Sequence, residues 1–573
     1  MKKLCVLLLL VAIAIASNNY RRIQTVLPSL DDKIDNTRAV LNISRSDDNP
    51  QDRPIIGRQE VVGYTDYDWC FNGPNYKMCI VDPVANGIHV AWMYRQGSNP
   101  RNMRYNFYDF STNTWNWPGT GVNVHTVSTG FGGMDNDPIT GHAVITGHGT
   151  ISGVLVPIVA RDISPGAGLF EYSNPTFSSL WPPVGVTNNQ MIHIAPTSND
   201  PGGLRDTVYY MRMTAWNTWD APYLIHDNAT IPNFPTQNIA ASKTSNKVVV
   251  LWECSEDPYP ERAFYRLSTD GGANWGAITQ IPFPPSYGGI VPGYHISSLY
   301  AIFDNNDNLR IVASVSDTGY TLPAQIWMYS PHLTNPWTLI HHYDADTLTA
   351  PVGYNAIFAT RPTVAQAPNG NFVVAWEQFD SLNYEPTTNL ARADIHVAVL
   401  TNNGQTVARK GRITDPNTTS KRFPSIGGVK NDTIILMYMI DSVAGSVVQS
   451  QGPLTNNPIV VHRLHMNSLP AAVDEYNPTP SYELALNKAQ PNPFSNHTVI
   501  RYSLPTNTNI DLTIYDILGR PVKTLATGYV SAGSYTAIWN GRTDNNELAK
   551  PGIYFYTLKT ANRQISQKIV KTN

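Results

Sequence analysis

A strand, turn and strand phrase recurs along this chain and limits its fold more than any other feature. Pro83-Val84-Ala85-Asn86-Gly87-Ile88-His89-Val90-Ala91-Trp92 is echoed by Pro362-Thr363-Val364-Ala365 with Asn369-Gly370-Asn371-Phe372-Val373-Val374-Ala375-Trp376. A third copy joins Ala301-Ile302-Phe303-Asp304 to Asn308-Leu309-Arg310-Ile311-Val312-Ala313. Each copy predicts a hairpin, because two apolar runs flank an Asn/Gly/Asp turn. Between the copies a second hairpin leads from aromatic or Met residues to a tryptophan: Tyr108 to Trp115, Met211 to Trp219, Tyr265 to Trp275, Trp327 to Trp337, with Trp181 as a weaker copy.

Two hairpins per unit, repeating every roughly 40 to 65 residues, predict four-stranded sheets arranged radially. The units begin near residues 61, 122, 186, 236, 294, 358 and 421, and the second and third divide poorly. The expected fold is all-β: a six- or seven-bladed β-propeller over 61–468, a linker at 469–483, and an immunoglobulin-like β-sandwich over 484–573. Composition agrees, since only 14% of residues are charged while Pro (43), Gly (39) and Tyr (30) are abundant. That mixture favours turns and half-buried strands, and no sustained apolar pattern at helical spacing occurs.

The first residues predict export. Lys2 and Lys3 precede the apolar run Leu4 to Ala16, and Ala14-Ile15-Ala16 has the small residues of a signal-peptidase site, so residues 1–16 read as a signal peptide. That run is shorter than the roughly 20 residues a membrane-spanning helix needs, and no later segment is long and apolar enough. Residues 17–60 read as a polar leader or strap. In an oxidising compartment Cys70 and Cys79 are near enough in sequence to close a disulfide loop. Cys254, beside the run Val248 to Trp252, reads as an inert core thiol. The net charge of −3 conceals an asymmetry. Residues 484–573 carry ten Lys and Arg against four Asp and Glu, a surplus of +6 that leaves −9 for the rest. No basic cluster is interleaved with aromatics, which argues against a nucleic-acid partner.

Candidate chemistry is sparse. Ser268-Thr269-Asp270-Gly271-Gly272-Ala273-Asn274-Trp275 resembles the Asp-box hairpin of sialidase-like propellers, with Ser268, Asp270, Gly272 and Trp275 in the motif positions. In that family the motif is structural: the carboxylate accepts turn N–H groups, glycine takes positive φ, and tryptophan covers the blade. The resemblance also implies an arginine clamp and a tyrosine nucleophile with supporting acids, which this chain does not match. Arg53-Pro54-Ile55 scrambles the family's early motif, and Arg53, Arg95, Arg361 and Arg422 are merely the arginines nearest the inner strands. Glu253 and Glu377 form a candidate pair, since paired carboxylates do glycoside hydrolysis and each follows a tryptophan at the end of an apolar strand. They occupy the same position of two repeats, so blade-edge acids are the plainer expectation, with Arg361 a third weak catalytic candidate. His142 and His148 lie on one strand face but too far apart, at roughly 20 Å, to share a metal. The acidic turns Asp304 to Asn308 and Asp135-Asn136-Asp137 offer calcium oxygen ligands without the full loop spacing, so plain turns are expected. No metal or other cofactor is expected beyond that calcium alternative.

The carboxyl-terminal region carries several motifs in order. They are Gln490-Pro491-Asn492-Pro493-Phe494, Ile500-Arg501-Tyr502, Tyr515-Asp516-Ile517-Leu518-Gly519-Arg520-Pro521-Val522, Trp539-Asn540-Gly541, Pro551-Gly552-Ile553-Tyr554 and Lys568-Ile569-Val570-Lys571. Together they resemble the A-type sorting domain of the type IX secretion system. The resemblance implies passage across an outer membrane, the secretion machinery as partner, and release or surface attachment of the cargo. Three functions follow for the propeller: binding glycan or protein ligands, which is the leading expectation; glycoside or peptide hydrolysis; or a structural and adhesive surface role. No complete catalytic constellation supports an enzyme.

Overall fold

The three repeated inner hairpins form where the sequence places them, each within an antiparallel sheet. The computed structural model describes residues 55–71, 73–199, 207–227, 234–255, 262–285, 287, 295–316, 322–344, 348–472, 484–530 and 532–572. The expected signal peptide, most of the expected leader, Arg53 and most of the expected linker lie outside them. Within the described residues the chain is all-β, with two single-turn 3-10 segments, Asn402–Gly404 and Met466–Ser468.

Seven sheets precede residue 470. Their innermost strands are Cys79–Asp82, Met134–Asn136, Val184–Val186, Phe234–Ala241, His295–Phe303, Ala359–Gln366 and Ser420–Lys430. Each innermost strand touches that of the next sheet, and Ser420–Lys430 touches Cys79–Asp82. The sheets themselves are open and antiparallel. Seven strands in cyclic contact surround an axis, and every sheet is covered by a neighbour on each side. That explains why Gly87–Tyr94 and Leu309–Ser316 are buried throughout instead of alternating. Apolar residues on both faces are what a strand covered on both sides requires.

The tryptophans that close two copies of the repeated phrase, and the one that ends the Val248 run, fill the gaps between sheets. Trp92, Trp252 and Trp376 stand on second strands and are at most 1% exposed. Each removes a large apolar side chain from water, worth several kcal/mol where burial is complete. Trp115 and Trp337 are buried near the outer hairpins, while Trp219 and Trp275 are half-buried.

One segment belongs elsewhere than its sequence position suggests. Arg58–Thr65 pairs with Asn457–His465 as the outermost strand of the seventh sheet, so the unit beginning near 61 starts instead at Cys79. The two ends of the region thus meet in one sheet, fastened further by Arg463 on Glu60 at 2.9 Å. No local pattern reveals a partner so distant in sequence.

The expected Cys70–Cys79 disulfide is not formed, since both thiols are free and buried, as is Cys254. Cys79 points from the first sheet at Gly427 of the seventh, whose absent side chain makes room for the sulfur. Cys70 stands beside Asp68, and burial pushes its thiol up to about 12.

Beyond residue 484, strands Ala485–Leu486, Thr498–Leu504 and Gly533–Trp539 form one sheet. Pro521–Val530, Thr508–Asp516, Gly552–Thr560 and Gln564–Lys571 form a second. The two share a core of Ile500, Tyr502, Leu512, Ile514, Tyr535, Trp539, Tyr556 and Leu558. The N–H of Phe283 donates to the Ser534 carbonyl at 2.7 Å, joining this region to the loop between the fourth and fifth sheets.

Candidate functional site

An antiparallel sheet puts its first and third turns at one end, so the repeated Asn/Gly/Asp turns and the Ser268–Trp275 turn share the turn end. At the opposite end the innermost strands are irregular. Register shifts interrupt pairing between Ser297 and Tyr300, Thr360 and Thr363, and Arg422 and Ser425. At each break one side chain is thrown out by left-handed backbone: Ser298 (φ 54°), Arg361 (φ 51°) and Phe423 (φ 59°). Phe131 (φ 53°) and Trp181 (φ 50°) hold the same conformation just before the second and third innermost strands. Bulky residues in this conformation are strained and persist only where surrounding structure enforces them, commonly at functional sites. Sequence reasoning found Arg361 but missed Phe131 and Phe423 and read Trp181 as a hairpin residue. The available signal was a bulky residue followed by proline or glycine at the start of a unit, as in Trp181-Pro182, Arg361-Pro362, Phe423-Pro424 and Phe131-Gly132.

Arg361 meets Glu377 there. Glu377 Oε1 receives Arg361 Nη1, while Oε2 receives Arg422 Nε at 3.0 Å and the Phe423 N–H at 2.9 Å. Arg361 and Glu377 are fully buried and Arg422 nearly so. Burial pushes the Glu377 carboxyl upward, but Arg422 and Arg361 outweigh it and hold it below the ordinary glutamate value. Arg361 also donates to the Asn355 carbonyl at 2.6 Å, with the rings of Phe423 and Trp69 5.1 and 5.6 Å from its guanidinium. A carboxylate so held neither gives a proton nor reaches a substrate.

Glu253 does not join this cluster. It stands in the fourth sheet and accepts from Thr236 Oγ1, with the whole fifth sheet between it and Glu377 in the sixth. Arg95 also stays apart, bound to Asp66 at 2.7 Å. The segment Gly73 to Tyr76 lies across the axis: Asn75 Nδ2 donates to the Arg361 and Pro424 carbonyls at 3.1 and 2.7 Å. Asn238 Nδ2 in turn donates to the Asn75 carbonyl at 3.0 Å. Beside this plug a cavity of about 20 Å³, lined by Phe71, Tyr76, Phe131 and Trp181, has room for about one water. His148 positions two of those rings, accepting the Trp181 N–H at 3.2 Å and stacking on Phe131 at 5.8 Å.

Along the axis lies a larger cavity of about 220 Å³, walled mostly by small and aliphatic residues of the innermost strands. Its charged groups are Lys77, Asp135 and Lys243. Asp135 binds Lys77 Nζ at 2.8 Å through Oδ1, and Lys243 Nζ at 2.7 Å through Oδ2. Oδ2 also accepts the Val186 N–H at 2.8 Å. Enclosure drives the Lys243 ammonium down to about 8 despite Asp135. Asp135, considered above as a calcium ligand, is thus neutralised by two lysines. Asp304 is likewise engaged by Arg310 at 2.8 Å and by the N–H groups of Asn306 and Asn308, both at 2.9 Å. Among the described residues no His/Cys/Asp/Glu group is arranged to hold a metal ion.

The Ser268–Trp275 turn is built by its own side chains. Ser268 Oγ donates to Asp270 Oδ1 at 2.8 Å and accepts the Gly272 N–H at 2.8 Å, while Asn274 N–H donates to Asp270 Oδ1 at 2.9 Å. The Asn274 side chain and N–H hold the Asp270 carboxyl down to about 2. Trp275 covers Tyr210 at 4.7 Å, edge to face. Gly272 has φ 78°, and a Cβ there would lie 1.7 Å from the Tyr210 hydroxyl, itself bound to His193 at 2.6 Å. Gly272→Ala should therefore cost about 2–4 kcal/mol in a denaturant titration. Gly519→Ala, at φ 76° with open space around it, should cost only about 1–2 kcal/mol. Equal costs would show that backbone strain alone sets the requirement.

In the carboxyl-terminal region the motif residues fasten ends and turns. Asn492 Oδ1 accepts the Val570 N–H at 2.9 Å and its amide donates to the Lys568 carbonyl at 3.0 Å, clipping the Pro491–Pro493 segment to the last strand. Phe494 packs on Trp539 at 5.2 Å, and Tyr554 meets the same indole at 4.9 Å. Asp516 caps its turn by accepting the N–H groups of Leu518 and Arg520 at 2.9 and 3.0 Å and binding Arg520 Nε at 2.7 Å. Gly519 supplies the left-handed turn position, whereas Gly552 has open space about it and no positive φ. Tyr515 is half-buried, with the Lys559 ammonium 5.6 Å from its ring centre.

Residues 488–572 match the family model of the secretion system C-terminal sorting domain. No curated protein matches the chain. Among solved structures, an ulvan lyase of a new polysaccharide lyase family is 11% identical, covers 68% of this chain and 100% of its own, and superposes with a TM-score of 0.39. A protein of unknown function from Dyadobacter fermentans is 11% identical, with coverages of 72% and 98% and a TM-score of 0.38. The endosialidase of phage phi92 is 10% identical, with coverages of 90% and 87% and a TM-score of 0.39.

Proposed function

We propose that this chain, whose residues 488–572 are a type IX secretion sorting domain, is exported to bind a glycan or protein ligand and not to cleave one. The sorting domain directs its cargo to secretion or to the outer-membrane surface. No helix among the described residues is long and apolar enough to cross a membrane. The cargo on this reading is a seven-bladed propeller of the sialidase-like kind, with Ser268–Trp275 as its Asp box. The sorting domain is an immunoglobulin-like sandwich whose sheets of three and four strands fit that architecture.

The observation that carries the binding reading is the state of the axial acids. Glu377 is enclosed by two guanidinium groups and Asp135 by two ammonium groups. General acid and base work needs a carboxyl that can exchange a proton with substrate, and neither group can. The axis meanwhile keeps a cavity of about 220 Å³ with charged groups on its wall. Concave, mainly apolar sites with a few convergent polar groups are how proteins hold small ligands or the ends of large ones.

The test is an array of glycans and peptides probed with the secreted protein, run beside a broad hydrolase and lyase screen. Saturable binding to one ligand class without turnover is expected. Turnover of a bound glycan that disappears in Glu253→Gln would replace this reading with an enzymatic one.

A further inference from the structure

The two lysines of the axial cavity are not equivalent. An ammonium has three donors. Lys243 Nζ uses all of them, on Asp135 Oδ2 at 2.7 Å, the Asn136 carbonyl at 2.8 Å and the Val186 carbonyl at 2.9 Å. Lys77 Nζ makes one hydrogen bond among the described residues, to Asp135 Oδ1 at 2.8 Å, which leaves two donors for another partner on a residue that lines the cavity. Tyr300, 3% exposed, lines the same cavity and interacts electrostatically with Lys77. Its hydroxyl makes no hydrogen bond to a described residue. Asp135 cannot take all of them, since its two oxygens already accept three donors and a carboxylate offers about four sites.

Charge points the same way. Two ammoniums and one carboxylate leave the cavity wall at +1, and no other charged residue lines it. Asp82 stands behind Asn136 and is occupied by the Asn136 amide at 2.8 Å, the Val84 and Ala85 N–H groups, and His89 at 3.4 Å. The Asp82 carboxylate acts on Lys243 from behind the wall, which leaves Lys77, a partly enclosed ammonium, as the charge facing a ligand. Such a charge interacts with an anion more strongly than one in bulk water. Unfilled N–H and O–H donors on the wall of one cavity suit the two oxygens of a carboxylate.

We infer that Lys77 Nζ and the Tyr300 hydroxyl form a receptor for one carboxylate group in the axial cavity, held in place from behind by the Asp135–Lys243 pair. The cavity, about 220 Å³, falls below the roughly 300–1,000 Å³ of sites for drug-sized ligands. It therefore takes a small hydroxylated acid or a single acidic sugar unit, not a stretch of chain. Lys243 from the turn end and Tyr300 from the fifth innermost strand place this site below the plug at Asn75, apart from the Arg361–Glu377–Arg422 cluster. The inference deepens the binding reading and rests on it.

Calorimetry on the secreted full-length protein tests it, with sodium acetate, sodium glucuronate and a tetragalacturonate as probes, and glucose and sodium chloride as controls. Saturable binding of glucuronate but not glucose is expected. Lys77→Gln should weaken it at least about tenfold and Tyr300→Phe about threefold to tenfold. If Lys77→Gln fails to fold, Tyr300→Phe, which removes one hydroxyl, carries the test. Binding of tetragalacturonate with equal loss in the variants identifies a glycan end as the source; binding of the free acids alone identifies a small metabolite. Chloride competing as well as acetate, or glucuronate binding unchanged by both substitutions, overturns the receptor. Array binding that survives in Lys77→Gln while glucuronate binds neither protein sinks this inference and leaves the broader binding reading standing.

Discussion

Removing Leu484 to Asn573 is expected to leave the seven-sheet region folded and confined to the periplasm, with surface and culture-medium fractions empty of it. Two observations set that expectation. Residues 488–572 match a sorting domain, and their core is separate: it draws its residues from 484 onwards and shares none with the clusters of the seven sheets. The parts meet where Phe283 bridges to Ser534 and Pro282 packs on Gly533, so the deletion removes a local contact and no core layer. Fractionation followed by limited proteolysis measures both halves of the expectation. A protease-resistant protein in the periplasm supports the assignment, and the truncated chain arriving on the cell surface would refute it.

Glu377→Gln is expected to destabilise the protein by about 3–5 kcal/mol, the cost of leaving buried guanidinium groups without their counter-charge. Arg361 and Arg422 both depend on that carboxylate, and the Phe423 N–H, fixed in left-handed backbone, donates to it as well. Three segments from the sixth and seventh sheets therefore loosen together. Glu253→Gln, at the matching repeat position, where the Thr236 hydroxyl donates to it and no arginine pair among the described residues encloses it as at Glu377, should cost less, about 1–2 kcal/mol. Denaturant titration of the two variants beside the parent gives the comparison. Equal, small losses would mean that the Glu377 cluster is not the fastening it is taken for.

Legibility followed the range of the interactions. The phrase ending in Trp92 or Trp376 was readable because a hairpin turn, two apolar strands and a filling indole are specified within about fifteen residues. The Ser268–Trp275 turn and the Asp516–Arg520 turn were readable for the same reason: each is closed by its own side chains. Val61 was assigned to the wrong sheet because its strand partner, Val460, stands at the other end of the region. The Cys70–Cys79 pairing failed similarly, since proximity in sequence says nothing of a thiol that faces Gly427.

The sequence by itself determined the class of fold, the position of the hairpins and the sorting domain, all of which rest on local patterns or on motifs in order. Only the tertiary structure decided which charges meet. Glu377 with Arg422, and Lys77 and Lys243 with Asp135, come from different sheets, and their pairing is set by how the innermost strands stand around the axis. A side chain's chemistry is fixed by its covalent structure, whereas its charge state and its access to a ligand depend on neighbours that chain closure alone brings within reach.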